Sequence, residues 1–116
     1  MHELESRFKY EFQNPNLLEE ALTHRSFGSL NNERLEFLGD AVLNLVIGRL
    51  LFERYLGLPE GELTRVRSVL VNQDGLTHIA GDLELGKYLK LGAGEFKTGG
   101  NKRPSILSDA VEALFG

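Results

Sequence analysis

The stretch "NNERLEFLGDAVL", residues 31–43, decides how the rest of the chain is read. It carries three carboxylates, Glu33, Glu36 and Asp40, among Leu, Phe and Val. Its spacing is that of a helix. At about 100° per residue, with Glu33 at zero, Glu36 falls at about 300°, Asp40 at about 340° and Asn44 at about 20°. Leu35, Leu38, Val42 and Leu45 fall between about 120° and 200°. The reading is therefore an acidic stripe backed by an apolar one on the opposite side.

Working outward, the helical pattern runs from about Asn32 to Leu56 and stops at the breaker "LGLPEG". Gly39 and Gly48 lie inside it, and each costs about 1 kcal/mol against alanine in a helix interior. Such glycines are expected where a backbone or ligand comes close. Upstream, "LESRFKYEF" has Leu4, Phe8 and Phe12 at helical spacing. In "NPNLLEEALTH", Asn14 is the expected N-cap and Pro15 the first helical residue. "SFGSLNN" reads as loop. Downstream, helices are expected over Glu62–Val71 and Gln73 to about Leu83. The glycine-rich, basic "GKYLKLGAGEFKTGGNKRP" reads as loop, and a last helix begins near Ser105 as N-cap. No alternating strand pattern appears, so the fold class is all-α. The 116 residues suffice for one small domain. They stop at Gly116 within an apolar helical pattern, which suggests a fragment incomplete at its C-terminus.

Composition narrows the chemistry. There is no cysteine, which removes disulfides, zinc–thiolate sites and cysteine nucleophiles. No apolar run approaches a bilayer span, and the charged N-terminus has no apolar signal core, so no membrane partner and a cytoplasmic location are expected. The net charge of −4 argues against a simple polyanion-coating protein. An acidic protein still acts on nucleic acid when metal ions bridge the two.

The acidic stripe has a plain reading, the solvated face of an amphipathic helix. Two features weigh against it. No lysine or arginine stands at helical spacing to pair all three acids. The C-terminal helix also carries its own pair, Asp109 and Glu112, among Ile106, Leu107, Val111, Leu114 and Phe115. Should the two helices pack together, Glu36, Asp40, Asp109 and Glu112 would repel one another unless a cation sat among them. Hard oxygen donors on rigid helices suit Mg²⁺, with Mn²⁺ as substitute.

With both motifs in view, the chain resembles the ribonuclease III family of double-stranded-RNA endonucleases. "NERLEFLGDAVL" is similar to the family signature. "LLEEALTHRSF", "PEGELTRVRSVLVNQDGL" and "LGAGEFKTGGNKRPSILSDAVEALFG" resemble the flanking stretches, so the likeness covers nearly the whole chain. The resemblance implies an all-α nuclease domain that forms a homodimer. It implies Glu36, Asp109 and Glu112 as metal ligands and Asp40 with Glu112 as catalytic. Glu33, Asp40, Glu60 and Asn44 have supporting places, and Glu60 corresponds to an acid that reaches toward the partner's cleavage site. Phe37 corresponds to a dimer-interface aromatic. The implied reaction has metal-activated water attack phosphorus, leaving 5′-phosphate and 3′-hydroxyl ends, in rRNA and mRNA processing. It also implies a separate double-stranded-RNA-binding domain, absent from these residues.

Other residues carry weaker signals. Lys97, Lys102 and Arg103, among glycines, are candidate RNA contacts. His24 reads as a structural hydrogen-bonding residue rather than a base. Arg65 and Arg67, two apart, cannot share a helix face, so one is expected on a carboxylate and the other on RNA. Two rivals remain: a non-cleaving ribonuclease-III-like scaffold, disfavoured because all four acids are present, and an all-α metal phosphohydrolase for small molecules, disfavoured because no P-loop is present.

Overall fold

The computed structural model describes residues 2–116 and is all-helical, as expected. The helices are α1 (His2–Phe8), α2 (Pro15–Ala21), α3 (Glu33–Arg54), α4 (Glu60–Val71), α5 (Gln73–Asp82), α6 (Ala93–Lys97) and α7 (Pro104–Phe115). Short 3₁₀ turns span Leu85–Lys87 and Gly100–Lys102. A single parallel bridge, Thr23 with Lys90, is the only extended pairing among the described residues.

Helix α7 is the hub. It packs on α2, α3 and α5 and buries Ile106, Ser108, Ala110, Val111, Ala113 and Leu114. Leu4, Leu18, Leu22, Leu43, Leu76 and Leu85 close the core around it. Asn14 caps α2 through its side chain, which accepts from Asn16 N–H, with Pro15 at the first position. Asn72 caps α5 in the same way through Gly75 N–H.

Four expectations need correction. The apolar row of α3 that faces α7 is Leu35, Gly39 and Leu43, spaced four apart. Leu38 and Leu45, assigned above to the anchoring stripe, are 49% and 72% exposed. Burial follows where α7 lies, and α7 lies beside the acids rather than behind them. The glycine-rich segment is not plain loop, since it holds α6 and both 3₁₀ turns fall in or beside it. Ser105 is not the N-cap of α7. Pro104 takes the first helical position, and Arg103 precedes it without a side-chain cap. Helix α1 stops at Phe8 because Lys9 turns left-handed at φ 59°. Phe12 returns by a loop, its N–H bonded to Glu5 Oε2 at 2.7 Å, and its ring stacks on Phe8.

Helices α3 and α4 project from this core, giving overall extents of 49 × 31 × 23 Å. The radius of gyration is 15.0 Å, above the roughly 13 Å of a compact domain this size. Helix α4 buries none of its residues.

Candidate metal centre

The geometry of the acids follows from two rows of α3. One residue on from the row Leu35–Gly39–Leu43 runs the row Asn32, Glu36, Asp40 and Asn44. The first row lies against α7, so the second runs along the edge of that contact. Gly39 allows the approach. A Cβ there would overlap the carbonyl of Glu112, so only glycine lets α7 pass this close.

The start of α3 is pinned independently. Asn32 is buried, its N–H donates to Thr23 O at 2.9 Å and its Nδ2 donates to Ala21 O at 3.1 Å. Asn31 Oδ1 accepts Glu33 N–H. Helix α3 is thereby fixed to the end of α2 before its first acid.

As a result, Glu36 from α3 meets Asp109 and Glu112 from α7. Each offers a carboxylate oxygen within 4.8 Å of the others, and all three are half-buried. Asp40 is exposed and stands just outside this group, beside Glu112. Asn44 Nδ2 donates to Asp40 O at 2.9 Å. Glu33 lies at the other edge, its Oε2 3.8 Å from Arg25 Nη1.

The electrostatics follow from the crowding. Burial, then the charge of Asp109 and a proton shared with it, then Glu33 and Asp40, push the Glu36 carboxyl up to about 7. Burial, then a proton shared with Asp40 and the charges of Asp40, Glu36 and Asp109, push Glu112 up to about 8. Asp109 is also raised by burial, against the opposing pull of its hydrogen bond with Glu36 and of His24 and Arg25. Three carboxylates that resist ionising together form a set that a divalent cation would neutralise. An all-oxygen, partly dehydrated donor set fits Mg²⁺ or Mn²⁺.

The remaining candidates sit elsewhere. Glu60 does not join the cluster within one chain. It lines a second cleft, between α3 and α4, with Asn44, Phe52 and Arg67. Phe37 is 82% exposed and borders the acids. Lys97 and Lys102 are exposed and make no ion pair among the described residues. Arg103 pairs with Glu95 at 3.2 Å. Arg65 pairs with Glu62 at 3.0 Å, whereas Arg67 lies against Gly48, where a Cβ would come within 3.3 Å of its Nη1. One of the two is thus on a carboxylate, as expected, and Arg67 lines the α3–α4 cleft. Arg25 beside Glu33 escaped the sequence reading, because that pair joins two elements eight residues apart across a loop.

A family model described as ribonuclease-III-like matches residues 14–116. Ribonuclease 3 of Aromatoleum aromaticum is 60% identical over 112 residues, covering 97% of this chain and 50% of that protein. Ribonuclease 3 of Bordetella avium is 62% identical over 113 residues, covering 97% and 45%. The chain thus spans about half the length of the curated relatives it matches. Among solved structures, the nuclease domain of ribonuclease III from Campylobacter jejuni, described for structural flexibility in a region involved in dimer formation, superposes with a TM-score of 0.93. It is 50% identical, and the match covers 97% of this chain and 79% of that one. Fold, signature and the meeting of the two acidic helices agree, and the chain belongs to the ribonuclease-III-like family.

Proposed function

We propose that this chain is the nuclease domain of a metal-dependent endoribonuclease that hydrolyses double-stranded RNA to 5′-phosphate and 3′-hydroxyl ends. The observation that carries this is the convergence of Glu36, Asp109 and Glu112 within 4.8 Å, from two helices that Gly39 lets pack together. These three carboxylates would hold Mg²⁺, with Mn²⁺ as a substitute. Held by these residues, a divalent cation would supply activation of water and neutralisation of charge on the phosphoryl oxygens. Asp40 adds negative charge beside Glu112, and Asn44 Nδ2 donates to the Asp40 backbone carbonyl one turn back. Glu33 adds negative charge at the rim and holds Arg25 near it. No protein nucleophile is required.

Double-stranded RNA brings a polyanion to an acidic site. Lys97, Lys102 and Arg103, on the segment before α7, are the proposed phosphate contacts. A homodimer is the proposed assembly. Phe37, Leu45, Phe52, Leu56 and Val69 are exposed along α3, α4 and their junction. Their apolar surface has no partner within one chain, and Phe37 borders the acids, so interface and site adjoin. In that assembly Glu60 serves the partner's site. The role is RNA processing, of rRNA and mRNA, in the cytoplasm.

The non-cleaving scaffold is the second reading, and the clustered acids speak against it, since RNA binding alone gains nothing from them. The test is incubation of this chain with a duplex RNA, with Mg²⁺ and with chelator. Metal-dependent cuts whose new 5′ ends are phosphorylated support the enzyme. Duplex binding with no cut at any Mg²⁺ or Mn²⁺ concentration supports the scaffold.

A further inference from the structure

Beside the acids lies a polar cleft of about 480 Å³. Glu33, Glu36, Glu95 and Asp109 line it together with His24, Arg25 and Arg103. The part around His24 and Arg25 is fastened to a distant segment. His24 N–H donates to Lys90 O at 2.9 Å, and Lys90 N–H donates to Leu22 O at 2.8 Å. These bonds fasten the segment after α2 to the segment before α6. Gly92 completes the fastening, since a Cβ there would overlap the Ser26 carbonyl.

The ring of His24 is fixed in both orientation and tautomer. Ser26 N–H donates to His24 Nδ1 at 3.1 Å, and a backbone N–H can only donate, so Nδ1 is an acceptor. Gly92 N–H donates to Ser26 Oγ at 2.9 Å, which leaves the Ser26 hydroxyl free to donate its own proton to Nδ1, 2.8 Å away. With Nδ1 held as acceptor, the ring proton sits on Nε2, which has no protein partner among the described residues. His24 is therefore a donor, not a base.

The two arginines keep donors free as well. Arg25 is 3.8 Å from Glu33, a charge pair too long for a hydrogen bond. Arg103 uses Nη2 for both Glu95 and the Thr98 carbonyl, leaving Nη1 and Nε. A ring N–H donor and two guanidinium groups lining one cleft suit the two non-bridging oxygens of a phosphodiester.

We propose that His24, Arg25 and Arg103 form a phosphodiester subsite that takes the RNA phosphate next to the one at the acidic cluster. The subsite rests on the endonuclease reading above. It sets the register of the strand, since a phosphate held there places its neighbour at Glu36, Asp109 and Glu112. Ser26 is a positioning residue, acting only through the His24 ring.

The test pairs protein substitutions with single neutral methylphosphonate linkages placed at successive positions of one strand of a duplex RNA. Affinity is measured in Ca²⁺ and cleavage in Mg²⁺. Arg25→Gln, on an exposed side chain, and His24→Ala should each weaken binding to unmodified RNA about tenfold. Each should lose most of that effect on RNA that is neutral at the phosphate adjacent to the cut. His24→Gln, which keeps an N–H donor, should restore much of the His24→Ala loss. Ser26→Ala should fall between wild type and His24→Ala. Additive effects at every position, or wild-type binding by both Arg25→Gln and a folded His24→Ala, would overturn the subsite while leaving the endonuclease reading intact if wild type still cuts. Wild type that neither binds nor cuts would overturn both.

Discussion

The carbonyl of Glu112 rests against Gly39, so the helix carrying two of the acids crosses the helix carrying the others at a residue without a side chain. Gly39→Ala should therefore do more than fill space. Overpacking a tight contact typically costs about 1–3 kcal/mol, and here the group displaced is the backbone that bears Glu112. Thermal unfolding should show a drop of several degrees, and metal protection should fall with it. Gly48→Ala makes the contrast. Its Cβ would meet only the end of the Arg67 side chain, at 3.3 Å, which has room to shift. Gly48→Ala should unfold within a degree or two of wild type.

The metal-free domain should lose stability as pH rises. The folded carboxyls of Glu36 and Glu112 titrate near 7 and 8, above their ordinary value of 4.5. Between pH 4.5 and 8 the folded state therefore binds more protons than the unfolded chain. The stability these groups contribute is complete below the unfolded value and is lost as pH rises through the folded ones. A divalent cation competes with those protons, so it should raise the melting temperature more at pH 8 than at pH 5. Melts in chelator and in Mg²⁺ across this range check the sign. A metal-free domain that becomes more stable from pH 5 to 8 would contradict it.

Phe37 should matter to assembly and hardly to folding. At 82% exposure its ring contributes little to the core of one chain, and substitutions at such positions usually stay within about 0.5 kcal/mol. A central aromatic anchor of an interface costs about 2 kcal/mol or more when truncated. Phe37→Ala should thus raise the dimer dissociation constant about thirtyfold or more in sedimentation equilibrium. The helical signal of the monomer should not change.

Much of this was legible in the sequence where the signal was local. Asn14 and Pro15 mark the start of α2, and the spacing of Asp109 and Glu112 puts both on one side of α7. The family likeness of the two acidic motifs foretold that their helices meet. What stayed hidden depends on distant partners. Which side of α3 is buried is decided by α7, so Leu38 and Leu45 face solvent despite their type. Asn32, where the helical pattern begins, is a buried tie to Ala21. The Thr23–Lys90 bridge joins residues far apart in sequence, with no alternating pattern to announce it. Pro104 displaced Ser105 as the start of α7 because a proline at the first helical turn costs no hydrogen bond.

In the proposed function, Glu36, Asp109 and Glu112 hold a divalent cation between α3 and α7. Titration of Mn²⁺ followed by electron paramagnetic resonance reads this without any need for cleavage. Wild type should bind Mn²⁺ in the millimolar range or tighter. Glu112→Gln should weaken binding at least tenfold at pH 8, and Glu11→Gln, an exposed acid in a separate pocket beside α1, should leave it within twofold. Equal Mn²⁺ affinity for wild type and Glu112→Gln would contradict the claim.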